Sequence, residues 1–197
     1  MGNLLQAKAI IKGTRPILWH AFTADAIPLE KQERTGVAGN DPEEWRKTVL
    51  VTEGRQLYLD ATYIFGCLRD ASRHTKQGRG SIQSNLVATL QVLNDRVLVD
   101  RWMPEKGDPP TDQTQPVYID VRSVRNPATK GRNVRYRVGA STGWRATFNI
   151  LWDKTIVNRA QMESVITDAG RLAGLGDGRS VGYGRFTTES FDVSDAS

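Results

Sequence analysis

Two helix-like periods set among alternating runs limit this chain more than any other feature. Over residues 61–74, Ile64, Cys67, Leu68 and Ala71 recur at i, i+3, i+4 and i+7, one face of a helix. Over 158–172, Met162, Val165, Ile166, Ala169 and Leu172 do the same. Asn158, with Gln161 three residues on, reads as a capping-box start. The second helix should stop at Gly174.

Around these helices the period is two. "LLQAKAIIKG" at 4–13 reads as a first strand ended by Gly13. Val117, Ile119 and Val121 alternate with Tyr118, Asp120 and Arg122. Val134, Tyr136 and Val138 alternate with Arg135 and Arg137. Trp144, Ala146, Phe148, Ile150 and Trp152 alternate with Arg145, Thr147 and Asn149. Each run predicts a half-buried strand. "SIQSNLVATLQVLNDRVLV" at 81–99 reads as strand material around an Asn94-Asp95 turn, 103–116 as an exposed loop, and "YGRFTTESFDV" as a last strand. The order strand, helix, strands, helix, strand predicts an α+β fold, a ferredoxin-like βαββαβ core. Residues of about 15–54 and 120–143 are insertions on it. The length of 197 residues suits one domain, 1–197.

"GLGDGRSVGYGRF" at 174–186 holds five glycines in thirteen positions. Glycine costs roughly 0.5–1 kcal/mol against alanine inside an element. So dense a cluster implies tight turning or the close approach of another molecule. No Gly-Lys-Ser/Thr follows, so it is not a phosphate loop of the Walker type. It runs from helix to strand, the reverse of a dinucleotide fingerprint. If it holds phosphate, loop amides with Arg179 and Arg185 must do so. The other reading is a helix-to-strand connection that needs several left-handed residues.

The formal charge of +5 suits a polyanionic partner. Between 120 and 145 the imbalance is stronger: Arg122, Arg125, Lys130, Arg132, Arg135, Arg137 and Arg145 stand against Asp120 alone. With Tyr136 and Trp144 interleaved, such a hairpin can hold phosphates and stack bases. A solvated sheet face would alternate in the same way. On the first helix Arg69, Arg73 and Lys76 fall on one face, a second basic stripe or a complement to the helix dipole.

Little else points to chemistry. The single cysteine, Cys67, excludes an intrachain disulfide and a cysteine zinc cluster, and a reducing cytoplasm fits. No cofactor or metal site is expected. His20, in "LWHAF", reads as a core or rim histidine and His74 as a helix-end residue; neither has a recognisable partner. Asp41, in "AGNDPEEW", reads as a turn and helix start. The N-terminus lacks a signal-peptide pattern. Gln6 stands where a myristoylation motif wants Ser or Thr. No apolar run approaches the roughly 20 residues of a membrane span.

The glycine stretch resembles the C-terminal signature of the RAMP superfamily, the repeat-associated proteins of CRISPR systems. "GRQLYLDATYIFGCLRDASRH" at 54–74 resembles the segment in that family's backbone subunits where an extended run enters the first helix. Asp60 and Ala61 stand there in place of the usual Pro-Gly, and Phe65 where Lys is frequent. "YIDVRSVRNPATKGRNVRYRVGASTGWRATFNILW" at 118–152 resembles the hairpin before the third core strand. The resemblance implies an RRM-like core and a non-catalytic subunit that multimerises head to tail along guide RNA beside other effector subunits. The residues expected to meet the strand are Arg69, Arg73, Lys76, Arg122, Arg125, Lys130, Arg132, Arg135, Tyr136, Gly176, Gly178, Arg179, Gly182 and Arg185. A stand-alone filament protein of a mobile element or phage, on single-stranded DNA or RNA, is an alternative reading. An endoribonuclease using His20, or metal-dependent cleavage at Asp41, is another.

Overall fold

The structure, a computed structural model, describes residues 2–21, 23, 41–125 and 131–196. The elements in chain order are β1 (Leu4–Gly13), β2 (Ile17–Leu18), α1 (Glu44–Thr48), β3 (Gln56–Asp60), α2 (Ala61–Ala71), β4 (Lys76–Gln77), β5 (Gly80–Ser81), α3 (Gln83–Thr89), β6 (Gln91–Val92), β7 (Arg96–Trp102), β8 (Val117–Arg125), β9 (Arg132–Ala140), β10 (Arg145–Asp153), α4 (Arg159–Asp168) and β11 (Phe186–Asp195).

The main sheet runs β11-β1-β10-β7-β3, and each of its pairings is antiparallel. Taking β1, α2, β7, β10, α4 and β11 as the core gives βαββαβ. Its spatial order is fourth, first, third, second, the ferredoxin-like arrangement, with β3 added at one edge. Alternation sets the register. Leu5, Ala7, Ala9 and Ile11 of β1 and Ala146, Phe148, Ile150 and Trp152 of β10 are buried on one face. Ile64, Cys67, Leu68 and Ala71 of α2 and Met162, Val165 and Ile166 of α4 join them in one hydrophobic cluster. Each Leu, Ile, Val, Phe or Met among them contributes roughly 1.5–3 kcal/mol on burial.

The ends of the helices follow local chemistry. Asp60 caps α2, its side chain accepting from the Thr62 amide. Asn158 and Gln161 form the reciprocal capping box at α4. Beyond Asp168 the chain widens into a π-helical turn, Ala169–Ala173, and stops at Gly174 with φ of 78°. Gly170 in that turn lets β11 approach: a Cβ there would lie 2.1 Å from the Phe186 carbonyl oxygen.

Two expectations need correction. Residues 83–89 form helix α3 and not strand. Ile82, Leu86 and Leu90 are all buried and lie four apart, a helix spacing that the apolar content of the run obscured. The even alternation expected across β8 also fails. Val117, Tyr118, Ile119 and Asp120 are all buried, whereas Val121 and Val124 are exposed. The reason is that β8 and β9 do not join the main sheet. They form a separate three-stranded sheet, β2-β9-β8, covered on both sides near the core and exposed toward Val124 and Arg132. The ladder between them holds register from Val117 opposite Ala140 to Arg125 opposite Arg132.

Candidate nucleic-acid interface

The glycine stretch folds against the protein itself. All five of its glycines have positive φ. Asp177 N–H donates to the Leu18 carbonyl at 2.8 Å and Gly184 N–H to Pro16 at 2.7 Å, so the loop is stitched to β2. Leu175 N–H donates to Gly184 at 3.0 Å and closes the neck. A Cβ on Gly184 would lie 1.8 Å from the Leu175 oxygen, and one on Gly176 2.5 Å from the Leu18 oxygen. The glycines at 174, 176, 178 and 184 are thus demanded by the fold. Gly182, with no neighbouring atom within 4 Å, is open.

This loop faces the hairpin across a cleft of about 1180 Å³, more than the roughly 300–1,000 Å³ of an ordinary small-molecule pocket. The structure brings Arg73, Arg122, Arg135, Gly176, Gly178 and Arg179 to its walls. Arg69 lies in an adjoining hollow of about 460 Å³, which shares Gly176 and Arg179. Lys76 lies past the end of α2, in the small β4–β5 hairpin. Arg132 is exposed where β9 begins. Tyr136 is half-buried against the core, and Trp144 is wholly buried, its Nε1 donating to the Arg15 carbonyl at 2.9 Å. The expected stacking role of Trp144 therefore falls. Gly182 and Arg185 stand outside the cleft walls, and one terminal guanidinium nitrogen of Arg185 is buried. Arg125 enters as strand backbone only. Lys130 lies outside the described residues.

Folding reduces the local charge imbalance of the hairpin. Arg137 is buried and donates to Asp120 at 2.8 Å and to Asp177 of the glycine loop at 2.8 Å. Arg122 donates to Asp120 at 2.7 Å. Arg135 is paired with Glu44 of α1. Glu44 also meets His20 Nε2 at 3.0 Å and accepts from the Tyr136 amide at 3.3 Å. His20 therefore has a carboxylate partner, contrary to expectation. Arg135 Nη1 lies 2.9 Å from that same ring nitrogen. Burial opposes ionisation of Glu44, but the His20, Tyr136 and Arg135 contacts outweigh it and hold its pKa low. Asp177 is held low in the same way, by Arg137 and the Gly178 amide against burial.

On the opposite wall Asp70 gathers Arg69 at 3.1 Å, Arg73 at 3.5 Å and Arg179 at 3.1 Å. Asp70 and Asp120 are each shared by several arginines, and the six arginines Arg69, Arg73, Arg122, Arg135, Arg137 and Arg179 meet four carboxylates, Glu44, Asp70, Asp120 and Asp177. Cations therefore outnumber anions around the cleft, and their geometry is fixed before any ligand arrives. Sequence reasoning missed Tyr183. Its ring lies in the cleft with the Arg122 guanidinium 5.1 Å from its centroid. The only signal was its place within the glycine stretch. Val181, 76% exposed, and Leu172, 45%, add apolar surface. Asp41 accepts from the Glu43 amide at 3.0 Å, the helix-start role expected of it. Among the described residues, no three metal-ligating side chains cluster and no helix is long and apolar enough to cross a membrane.

No family model and no curated protein matches the chain. Among solved structures it is similar, at 14% identity and a TM-score of 0.46, to a chain in the cryo-EM structure of the Type III-B Cmr-beta bound to cognate target RNA, the match covering 99% of this chain and 62% of that one.

Proposed function

We propose that this chain, acting as one domain, is a non-catalytic subunit that binds single-stranded RNA and multimerises along guide RNA in a CRISPR-type effector complex of the cytoplasm. The observation that carries the RNA reading is the cleft. Its arginines are more numerous than its carboxylates and pre-positioned by them, and apolar surface lies between them. This is the combination that holds a phosphate backbone with unstacked bases. The effector assignment rests on the motif resemblance. The exposed half of the hairpin, with Val121 outside the cleft walls, supports head-to-tail contact with a neighbouring copy. The engagement of His20 Nε2 by Glu44 and Arg135 supports a tethering role for His20 over that of an open general base.

The test is a titration with single-stranded RNA at several salt concentrations. Arg73→Ala and Arg179→Ala should each weaken binding about equally for all sequences. Each should reduce the slope of log K against log salt by roughly 0.7. Unchanged affinity and slope in both variants would overturn the reading.

A further inference from the structure

One cation in the cleft is built differently from the rest. The Arg122 guanidinium rests over the Tyr183 ring, 5.1 Å from its centroid. Its Nε edge donates to Asp120 at 2.7 Å. Asp120 is itself wholly buried and held by Arg137 at 2.8 Å. The guanidinium is thus held over the ring and along one edge, yet 44% of the side chain is exposed and it lines the cleft. Gly178 makes room for this stack, since a Cβ there would come 2.9 Å from the Tyr183 ring. Val124, two residues along β8 from Arg122, is exposed beside it and lines the same cleft.

A phosphate is bound through the N–H edges of a guanidinium, and here Asp120 takes the Nε edge and balances the charge, which leaves only the outer Nη edge for such a contact. A base is bound through a flat face, and guanidinium planes stack on bases as aromatic rings do. We infer that Arg122, backed by Tyr183 and flanked by Val124, is a stacking platform for one unpaired nucleobase and not a phosphate contact. This rests on the single-stranded nucleic-acid reading above. It assigns the hairpin wall to the base and leaves the wall of Arg73 and Arg179 to the backbone.

The experiment compares a short oligouridylate with an abasic strand of equal length and charge, on the full chain. Arg122→Lys keeps the charge and removes the plane. It should lower affinity for oligouridylate about fivefold or more, leave the salt slope unchanged and leave abasic binding unchanged. Tyr183→Leu should move the same ratio in the same direction. A misfolded fraction would depress binding to both strands equally, so the ratio of the two affinities reads the platform and not stability. Arg122→Lys binding oligouridylate as tightly as wild type, or losing equally on both strands, overturns the inference. A wild-type chain that binds neither strand overturns the underlying nucleic-acid reading instead.

Discussion

On one wall of the cleft the backbone of residues 174–184 is threaded so closely that a Cβ on any of four glycines would collide, with Ile17 and Leu18 at Gly176 and with the loop itself at Gly174, Gly178 and Gly184. On the other wall, β8 and β9 form an ordinary antiparallel ladder, and the hairpin is tied to its surroundings by charged side chains. Arg137 reaches Asp177 and Arg135 reaches Glu44. The loop is shaped by steric exclusion, which has no tolerance at contacts under 3 Å. The hairpin is placed by ion pairs, whose strength depends on burial and on pH. The same cleft thus has one wall that fails abruptly and one that can be loosened by degrees.

The largest effect should come from the loop. Gly184→Ala places a Cβ where the Leu175 carbonyl already is and demands a φ of 68° from an L-residue. Folded protein should be lost, with no cooperative melt. Gly182→Ala, at φ of 93° in open space, should cost only about 1–2 kcal/mol by urea unfolding. Equal damage at the two positions would mean that the loop is not shaped by steric exclusion.

Next in size is the buried charge of the hairpin. Asp120→Ala leaves the Arg137 guanidinium buried with only the half-exposed Asp177. It should destabilise by about 3–5 kcal/mol, while replacing Asp120 and Arg137 together by apolar residues should recover much of that loss. If the double replacement is as unstable as the single one, the hairpin is not held by this pair.

The smallest effect is acid loosening. The pKa values of Glu44 and Asp177 are lowered by folding. Each therefore contributes stability that is complete above the ordinary carboxylate range, about pH 5 upward. That contribution is lost as pH falls through the folded-state value. The melting temperature of wild type should drop more steeply below that range than that of Glu44→Gln, by on the order of 2 °C. Parallel curves would remove Glu44 from the tether.

The elements that carry their own periodicity were legible in the chain before it folded. β1, α2, α4 and β10 follow from alternation or helical spacing, because a single buried face imposes a period on its residues. The capping box at Asn158 was equally legible, since it involves residues three apart. The glycine stretch was visible as a demand for unusual backbone, but the sequence could not say what would approach that backbone. The tertiary structure decided that β2 and the loop itself do, through contacts from residues 16–18 to residues more than 150 positions away. It also decided the electrostatics. Counted along the chain, the hairpin opposes its basic residues with Asp120 alone; in space Glu44 and Asp177 arrive from distant segments and neutralise part of that charge. Which cations face a ligand depends on such arrivals, and so does the meeting of Arg122 with Tyr183. Local spacing encodes the face a residue presents, and folding decides which residue of a remote segment is brought opposite it.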